Sequence, residues 1–180
     1  MWPLLIVLAL AVWLVVMYNG LVQLRESAEA AWSDIDVQLK RRHDLIPNLV
    51  ETVKGYATHE QETFEKVIQA RNRAMSAQGP AAKAQAEGML AGALKNLFAL
   101  SEAYPQLKAA SNFRDLQESL QEVENALSNA RRYYNAVVRV LNTRVQSVPT
   151  VFIARSFGFT QREFFEIDES QRAVPRVSFD

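Results

Sequence analysis

The spacing of apolar residues indicates helices along most of the chain. Between residues 113 and 148, steps of three and four residues meet an apolar or aromatic side chain at ten of eleven positions. A seam over five heptads is typical of a helix that packs against other helices. Asn112 is placed to cap the start of this helix, and Pro149 ends it. The seam comprises Phe113, Leu116, Leu120, Val123, Leu127, Ala130, Tyr134, Val137, Leu141, Arg144 and Val148.

A second seam runs through residues 28–70 and is interrupted by Arg42 and Glu60. It predicts one long helix that stops at Gly79, because glycine suits the position just after a helix. Pro80 then suits the first turn of the next helix. The apolar members of this second seam are Trp32, Ile35, Leu39, Ile46, Leu49, Val53, Tyr56, Thr63 and Val67.

The remaining pattern completes an all-α fold. An apolar stripe over residues 90–104 stops before Pro105, with a loop expected up to the seam helix, and a shorter helix is predicted at Thr150–Ser156. No useful length of chain alternates with period two, so no sheet is expected. Short loops make consecutive helices antiparallel neighbours. We therefore predict an antiparallel bundle over residues 25–157, with three long helices plus a shorter fourth.

Residues 1–24 carry no charged side chain and are the most apolar part of the chain. As a helix they would be about 36 Å long, against a hydrocarbon core of about 30 Å. Trp2 and Tyr18 stand near the two ends, where interfacial aromatic residues are common. This pattern predicts a transmembrane signal-anchor helix. Since no Gly-, Pro- or Ser-rich linker follows, we expect this helix to continue directly into the first bundle helix.

A cleaved signal peptide is the alternative for this segment. It is disfavoured because no Lys or Arg precedes the apolar run and no small-residue cleavage site follows it. The basic residues Arg25 and Lys40 to Arg42 come after the run. The positive-inside rule therefore favours a bundle on the cytoplasmic side of the membrane.

Composition argues against several functional classes. Lys plus Arg and Asp plus Glu both number 20, so the balanced charge gives no sign of nucleic-acid binding. Cysteine is absent, and the two histidines, His43 and His59, do not form a zinc motif. No glycine-rich phosphate loop or hydrolase elbow occurs. The sequence thus predicts a protein that is not an enzyme and binds no metal or cofactor.

The stretch Arg41, Arg42, His43, Asp44 and Pro47 is the most unusual part of the first bundle helix. Proline inside a helix removes a hydrogen bond, so Pro47 is expected to kink or break the helix, with Asp44 capping the second half. One interpretation is a structural joint or hinge. A second is that the four charged residues form a contact surface at the joint, and a third is that they are an ordinary solvated face. A catalytic role is the weakest alternative.

The C-terminal segment, residues 158–180, is rich in aromatic residues and has no helical pattern. With Phe157 just before it, we expect an irregular arm. Its aromatic side chains either pack back onto the bundle or dock on another subunit or partner. The candidate docking residues are Phe157, Phe159, Phe164, Phe165 and Phe179.

Three blocks of the chain resemble the LemA family. They are the stretch from Tyr18 to Glu60, with "IDVQLKRRHDLIPNLV" at Ile35–Val50, the stretch from Leu97 to Asn142, and the ending "GF…FFEID…R…P.V.F". The resemblance implies a bacterial inner-membrane protein with one N-terminal helix, a helical-bundle domain and no established enzymatic activity. It also implies a role beside membrane-protein quality control, with a membrane zinc protease of the HtpX type as a candidate partner.

Two functional hypotheses follow from the residues and the resemblance together. The first is a non-catalytic, membrane-anchored scaffold or adaptor that self-assembles, since membrane anchors concentrate the bundles beside one another. The second is a sensor or regulator that changes conformation at the Pro47 joint to control a membrane enzyme. No cofactor is expected under either hypothesis.

Overall fold

The computed structural model describes residues 2–166, so Phe179 lies outside the described residues. Within that range the chain forms six helices and no strand, which confirms the all-α prediction. The helices are α1 (Trp2–Lys54), α2 (Gln61–Ser76), α3 (Pro80–Glu102), α4 (Pro105–Ala109), α5 (Ser111–Gln146) and α6 (Thr150–Ser156).

Helix α1 is 53 residues long and joins the apolar segment to the bundle without interruption, as the missing linker predicted. Large apolar side chains from Trp2 to Val16 are exposed along its first turns. Among the helices in residues 2–166, α1 is the one that is long and apolar enough to cross a membrane. Side chains further along the same helix, such as Ile35 and Val53, are fully buried.

The long helix predicted through residues 28–70 is wrong, because α1 ends at Lys54 and α2 begins at Gln61. Gly55, a poor helix former, stands directly after the end of α1. The N–H groups of the next two residues both donate to the carbonyl of Val53, which closes the turn. Ala57 packs into the core, whereas the predicted seam residue Tyr56 is exposed. The apolar spacing continued across the turn, so periodicity alone did not reveal it.

Two smaller predictions at the other helix ends also need correction. The loop expected after Pro105 contains the short helix α4, which places that proline in its first turn. Asn112 lies inside α5, and its side-chain oxygen accepts from the N–H of Phe113 at 3.0 Å, so it is not the predicted cap. The shorter helix predicted at Thr150–Ser156 is confirmed as α6.

By contacts the described chain divides into two compact units. The first contains residues 2–37 and 127–164, and the second contains residues 38–126 with Phe165 and Glu166. Helices α1 and α5 each contribute to both units.

In the second unit, α1 and α2 run antiparallel. Lys54 near the end of α1 lies over the ring of Phe64 near the start of α2, while His43 contacts Arg71 one turn before the end of α2. Helices α3, α4 and α5 complete the core around them. The buried apolar residues of this core are Ile46, Leu49, Val50, Val53, Ala57, Phe64, Val67, Ala74, Leu90, Leu94, Leu97, Leu107, Phe113 and Leu120.

In the first unit, α1 and α5 run antiparallel. The rings of Trp32 and Tyr134 lie 5.3 Å apart, and residues 13–24 of α1 share a cleft with Val140 and Arg144, further along α5. In this part of α5 the predicted seam is one residue out of place. Val138 and Val145 are buried, whereas the seam predicted Val137 and Arg144. A straight α-helix has 3.6 residues per turn, so a strict 3.5-residue repeat leaves the buried face after several heptads.

Candidate functional site

Pro47 lies inside α1 and does not interrupt it, so the predicted break and the capping role of Asp44 are wrong. Because proline has no N–H, the carbonyl of His43, four residues earlier, has no donor within the helix. Nε of Arg71, on α2, donates to that carbonyl at 2.8 Å. A hydrogen bond between two helices thus replaces the missing one within α1, and the helix tolerates its proline.

The residues just before Pro47 contact a fully buried carboxylate, that of Glu87 on α3. One oxygen, Oε2, accepts from Nη1 of Arg42 at 3.1 Å, and the other, Oε1, lies 2.6 Å from Nε2 of His43. A carboxylate can only accept, so this ring nitrogen carries the hydrogen. Nη2 of Arg42 also lies 3.4 Å from Oε2 of Glu124 on α5.

We call this network the Pro47 cluster: Arg42, His43, Pro47, Arg71, Glu87 and Glu124. It connects four helices of the second unit, α1, α2, α3 and α5, at one point. Arg42 and His43 are each only 6% exposed. Removing one partner of a buried ion pair destabilises the folded protein, because the other charge is then left buried and unpaired.

The four charged residues predicted as one surface are separated by the fold. Arg42 and His43 point into the bundle, whereas Arg41 and Asp44 are exposed. The solvated-face interpretation therefore applies to Arg41 and Asp44 and is wrong for the other two. An exposed pair of this type contributes about 0–1 kcal/mol.

Glu87, Arg71 and Glu124 were missed at the level of sequence, although a signal for Glu87 was present. Arg42 interrupts the seam of α1, and Glu87 stands three residues before Leu90 on the apolar stripe of α3. Opposite charges at core positions of two neighbouring helices indicate a buried pair. Because Pro47 leaves the carbonyl of His43 without a donor in its own helix, a donor such as Arg71 could have been looked for elsewhere in the chain.

A groove of about 630 Å³ lies beside the Pro47 cluster in the second unit. Phe98 and Phe113, whose rings are 6.3 Å apart, supply its aromatic lining, and Lys95 and Glu102 are among its charged residues. Arg42 and Glu124 line it, but His43 and Glu87 do not. Within residues 2–166, no group of three or more acidic or histidine side chains is placed to hold a metal ion. The His43–Glu87 contact is buried and does not line the groove.

The described part of the aromatic segment after α6, up to residue 166, is irregular and packs back onto its own chain. Phe159 and Phe165 are buried and Phe164 is half-buried. Phe157 is exposed, although one face of its ring lies against Tyr18. The buried rings support the packing interpretation for Phe159 and Phe165 and leave Phe157 as the aromatic residue of this segment that is open to a partner.

Hydrogen bonds from side chains of α5 to the backbone of this segment fix it to α5 in the first unit. The Asn142 amide donates to the carbonyl of Arg162 at 2.9 Å and accepts from its N–H at 2.8 Å. Tyr134 donates its hydroxyl to the carbonyl of Glu163 at 2.9 Å. Burial raises the pKa of Tyr134, so the hydroxyl keeps its proton and remains a donor. The Arg162 guanidinium also binds Glu29 of α1.

Asn142→Ala should release this segment, because it removes both hydrogen bonds to Arg162. Each is worth about 0.5–1.5 kcal/mol, so a loss of about 1–3 kcal/mol in local stability is expected. Hydrogen-exchange mass spectrometry on residues 157–164 measures the loss as faster exchange. Asn129→Ala, an exposed asparagine on the same helix, is the matched control. Unchanged exchange in Asn142→Ala would mean that ring packing alone holds the segment.

Over residues 2–166 these features define a class of protein: a helical bundle continuous with one candidate membrane-spanning helix. The chain belongs to the LemA family, whose model matches residues 31–179. This confirms the family that the sequence blocks resembled.

Three relatives illustrate the range of similar proteins. Magnetosome protein MamQ of Magnetospirillum gryphiswaldense is 26% identical over 178 residues, which cover 84% of this chain and 65% of that protein. MamQ 2 of Paramagnetospirillum magneticum is 26% identical over 186 residues, covering 89% and 68%. Protein LemA of Metamycoplasma hominis is 23% identical over 158 residues, covering 86% and 71%. The chain thus spans about two thirds of these relatives' length, and none of their names is that of an enzyme.

Proposed function

We propose that this protein is a non-catalytic, membrane-anchored scaffold or adaptor that holds a partner protein at the surface of the bacterial inner membrane. The observation that carries the proposal is the unbroken course of α1 from exposed apolar residues to the buried core of the second unit. An anchor joined by a flexible linker would only tether a domain. A continuous helix leaves no flexible linker between the apolar segment and the residues that follow it.

The exposed side chains of α1 support the membrane part of the proposal. Residues from Trp2 to Val16 are predominantly apolar and open to the surroundings. Such a continuous apolar surface is unfavourable in water and favourable in lipid, where a helix also satisfies its own backbone hydrogen bonds. The basic residues that follow, Arg25 and Lys40 to Arg42, favour a cytoplasmic bundle.

The groove beside the Pro47 cluster is the proposed docking surface for the partner. It combines an aromatic lining with a charged rim, which suits an amphipathic segment of another protein. The partner is either a second copy of this chain, giving self-assembly, or a membrane protein such as an HtpX-type zinc protease. The second choice rests on family association with membrane-protein quality control.

Photo-crosslinking in cells tests this proposal. A photoreactive amino acid at Lys95 or Gln121, both exposed in the groove, should give crosslinks to a discrete membrane-bound partner. Met75, exposed on α2 and outside the groove, is the matched control position. Equal crosslinking at all three positions would contradict a specific groove. Links only between copies of the chain would identify a self-assembling scaffold.

The same position reports the side of the membrane. Since the chain has no cysteine, Met75→Cys introduces a single thiol. Membrane-impermeant maleimide should leave it unlabelled in intact cells and label it after lysis. Labelling from outside would reverse the proposed orientation, and recovery of the chain in the soluble fraction would contradict the anchor.

A regulator that moves at Pro47 is the second candidate function. The observation that favours it is the Arg71 hydrogen bond to the carbonyl of His43, because a single contact between α2 and α1 satisfies the group that Pro47 leaves without a donor. A regulator would have two arrangements of α2 against α1, one with this bond and one without it.

A further inference from the structure

A group of exposed apolar side chains lies around α6 in the first unit. Val148, Phe152 and Phe157 are 76%, 64% and 64% exposed. The opposite face of α6, formed by Thr150, Ile153 and Ala154, is buried. Helix α6 therefore has one face packed on its own unit. Three large apolar side chains stay largely exposed around it: Phe152 on the helix itself, Val148 just before it and Phe157 just after it.

The depth of this face follows from its contacts with α1. The rings of Phe157 and Tyr18 lie 4.8 Å apart. At 1.5 Å per residue, Tyr18 is about 24 Å along the helix from Trp2, close to the far boundary of a hydrocarbon core of about 30 Å. If α1 spans the bilayer, Phe157 is held near the level at which the helix leaves it.

The end of α5 approaches the same level. Val140, Arg144 and Thr150 share a cleft with residues 13–24 of α1, which include Trp13 and Met17. These two residues belong to the apolar part of α1 that the anchor proposal places in lipid. The end of α5 and the start of α6 are thus beside the bilayer boundary, with Val148 and Phe152 open to it.

The charge of this region matches an anionic lipid surface. Residues 125–162 contain six arginines and neither Asp nor Glu. Arg144 and Arg155 are exposed within the stretch that carries the three apolar residues. An anionic leaflet attracts basic residues held near its surface, and a long arginine side chain can reach the phosphates while its stem stays in apolar surroundings.

We infer that Val148, Phe152 and Phe157, flanked by Arg144 and Arg155, form a second membrane contact that inserts into the interfacial region of the leaflet where α1 emerges. We call these five residues the lipid-contact patch. The inference rests on the proposed anchor and adds to it a function for α6. Two contacts with the bilayer restrain the tilt and rotation of the first unit, which one helix alone cannot do.

Depth-dependent fluorescence quenching tests the patch in the full-length protein. Single-cysteine variants at Phe152, Leu8 and Met75 carry an NBD fluorophore, in liposomes of phosphatidylcholine with phosphatidylglycerol. NBD at Phe152 should be quenched more strongly by a lipid spin label near the head group than by one deep in the acyl chains. NBD at Leu8, in α1, should be quenched by the deep label, and NBD at Met75 by neither.

The three positions distinguish failure of the patch from failure of the anchor. If Leu8 is quenched and Phe152 is not, the patch is wrong and the anchor stands. If neither is quenched, the anchor itself is wrong.

A blue shift at Phe152 without lipid quenching would mean that protein covers this face, in a second copy or a partner. Unaltered quenching at Phe152 in pure phosphatidylcholine would overturn the role of the arginines. Since Phe152 is exposed, circular dichroism should show unchanged helicity in its variant.

Discussion

Glu87→Ala should lower the free energy of unfolding by about 3–5 kcal/mol, because it leaves the charge of Arg42 buried without its main partner. Glu87 is fully buried, and both of its oxygens are occupied by groups on α1. The loss should therefore be concentrated where α3 packs on α1. Urea unfolding of the full-length protein in detergent, followed by circular dichroism, measures the global change, and hydrogen exchange locates it.

Two further variants show whether charge pairing explains the loss. Glu118→Ala removes an exposed carboxylate from α5 and should change stability by less than about 0.5 kcal/mol. The double variant Arg42→Met with Glu87→Leu replaces the buried pair by apolar side chains of similar size. It should recover most of the stability, since such replacements are often neutral or stabilising. If the double variant is as unstable as Glu87→Ala, apolar side chains of similar volume do not replace the pair. The loss of stability would then come from His43 or Glu124, which have each lost a charged partner.

The second large effect is expected at Arg71. Arg71→Met keeps much of the side chain's length but leaves the carbonyl of His43 with no donor, because Pro47 cannot supply one. An unsatisfied buried acceptor costs about 1–3 kcal/mol. Arg73→Met, on the same helix and exposed, is the matched control and should have little effect. Unfolding in urea again measures the change.

A double-mutant cycle with Pro47→Ala isolates this hydrogen bond. Alanine at position 47 restores an N–H four residues after His43, so Arg71→Met should then cost about 1 kcal/mol less than it does beside proline. If Arg71→Met lowers the free energy of unfolding equally with proline and with alanine at position 47, Arg71 acts through packing or through its contact with Asn72. In that case the account of how α1 tolerates Pro47 would be wrong.

The same variants decide between a fixed and a moving joint. Spin labels at Lys40 and Asn72, both exposed in the second unit, report the distance between α1 and α2. A regulator that moves at Pro47 should show two distance populations, which Pro47→Ala reduces to one. A single population in both proteins would leave the scaffold as the supported function.

The sequence by itself determined the fold class, the continuity of the anchor with the bundle and the position of α6. These properties depend on local composition and spacing: an uncharged apolar run, the absence of a linker, and proline and glycine at helix boundaries. The family also followed from the sequence, because its blocks are long and lie in the expected order. The break at Gly55 was missed, since the apolar spacing of residues 28–70 continues through the turn.

Only the tertiary structure decided what Pro47 and its neighbours do. Whether a proline breaks a helix depends on whether another group satisfies the carbonyl it leaves free, and that group, Arg71, is 28 residues away. The partner of Arg42 and His43 is likewise remote, on α3. Spacing within one helix fixes which face a residue occupies, but the packing of helices fixes which charge meets it. For that reason one stretch of sequence supported a hinge, a surface and a break, while the fold buried Arg42 and His43 at a junction of four helices and left Arg41 and Asp44 exposed.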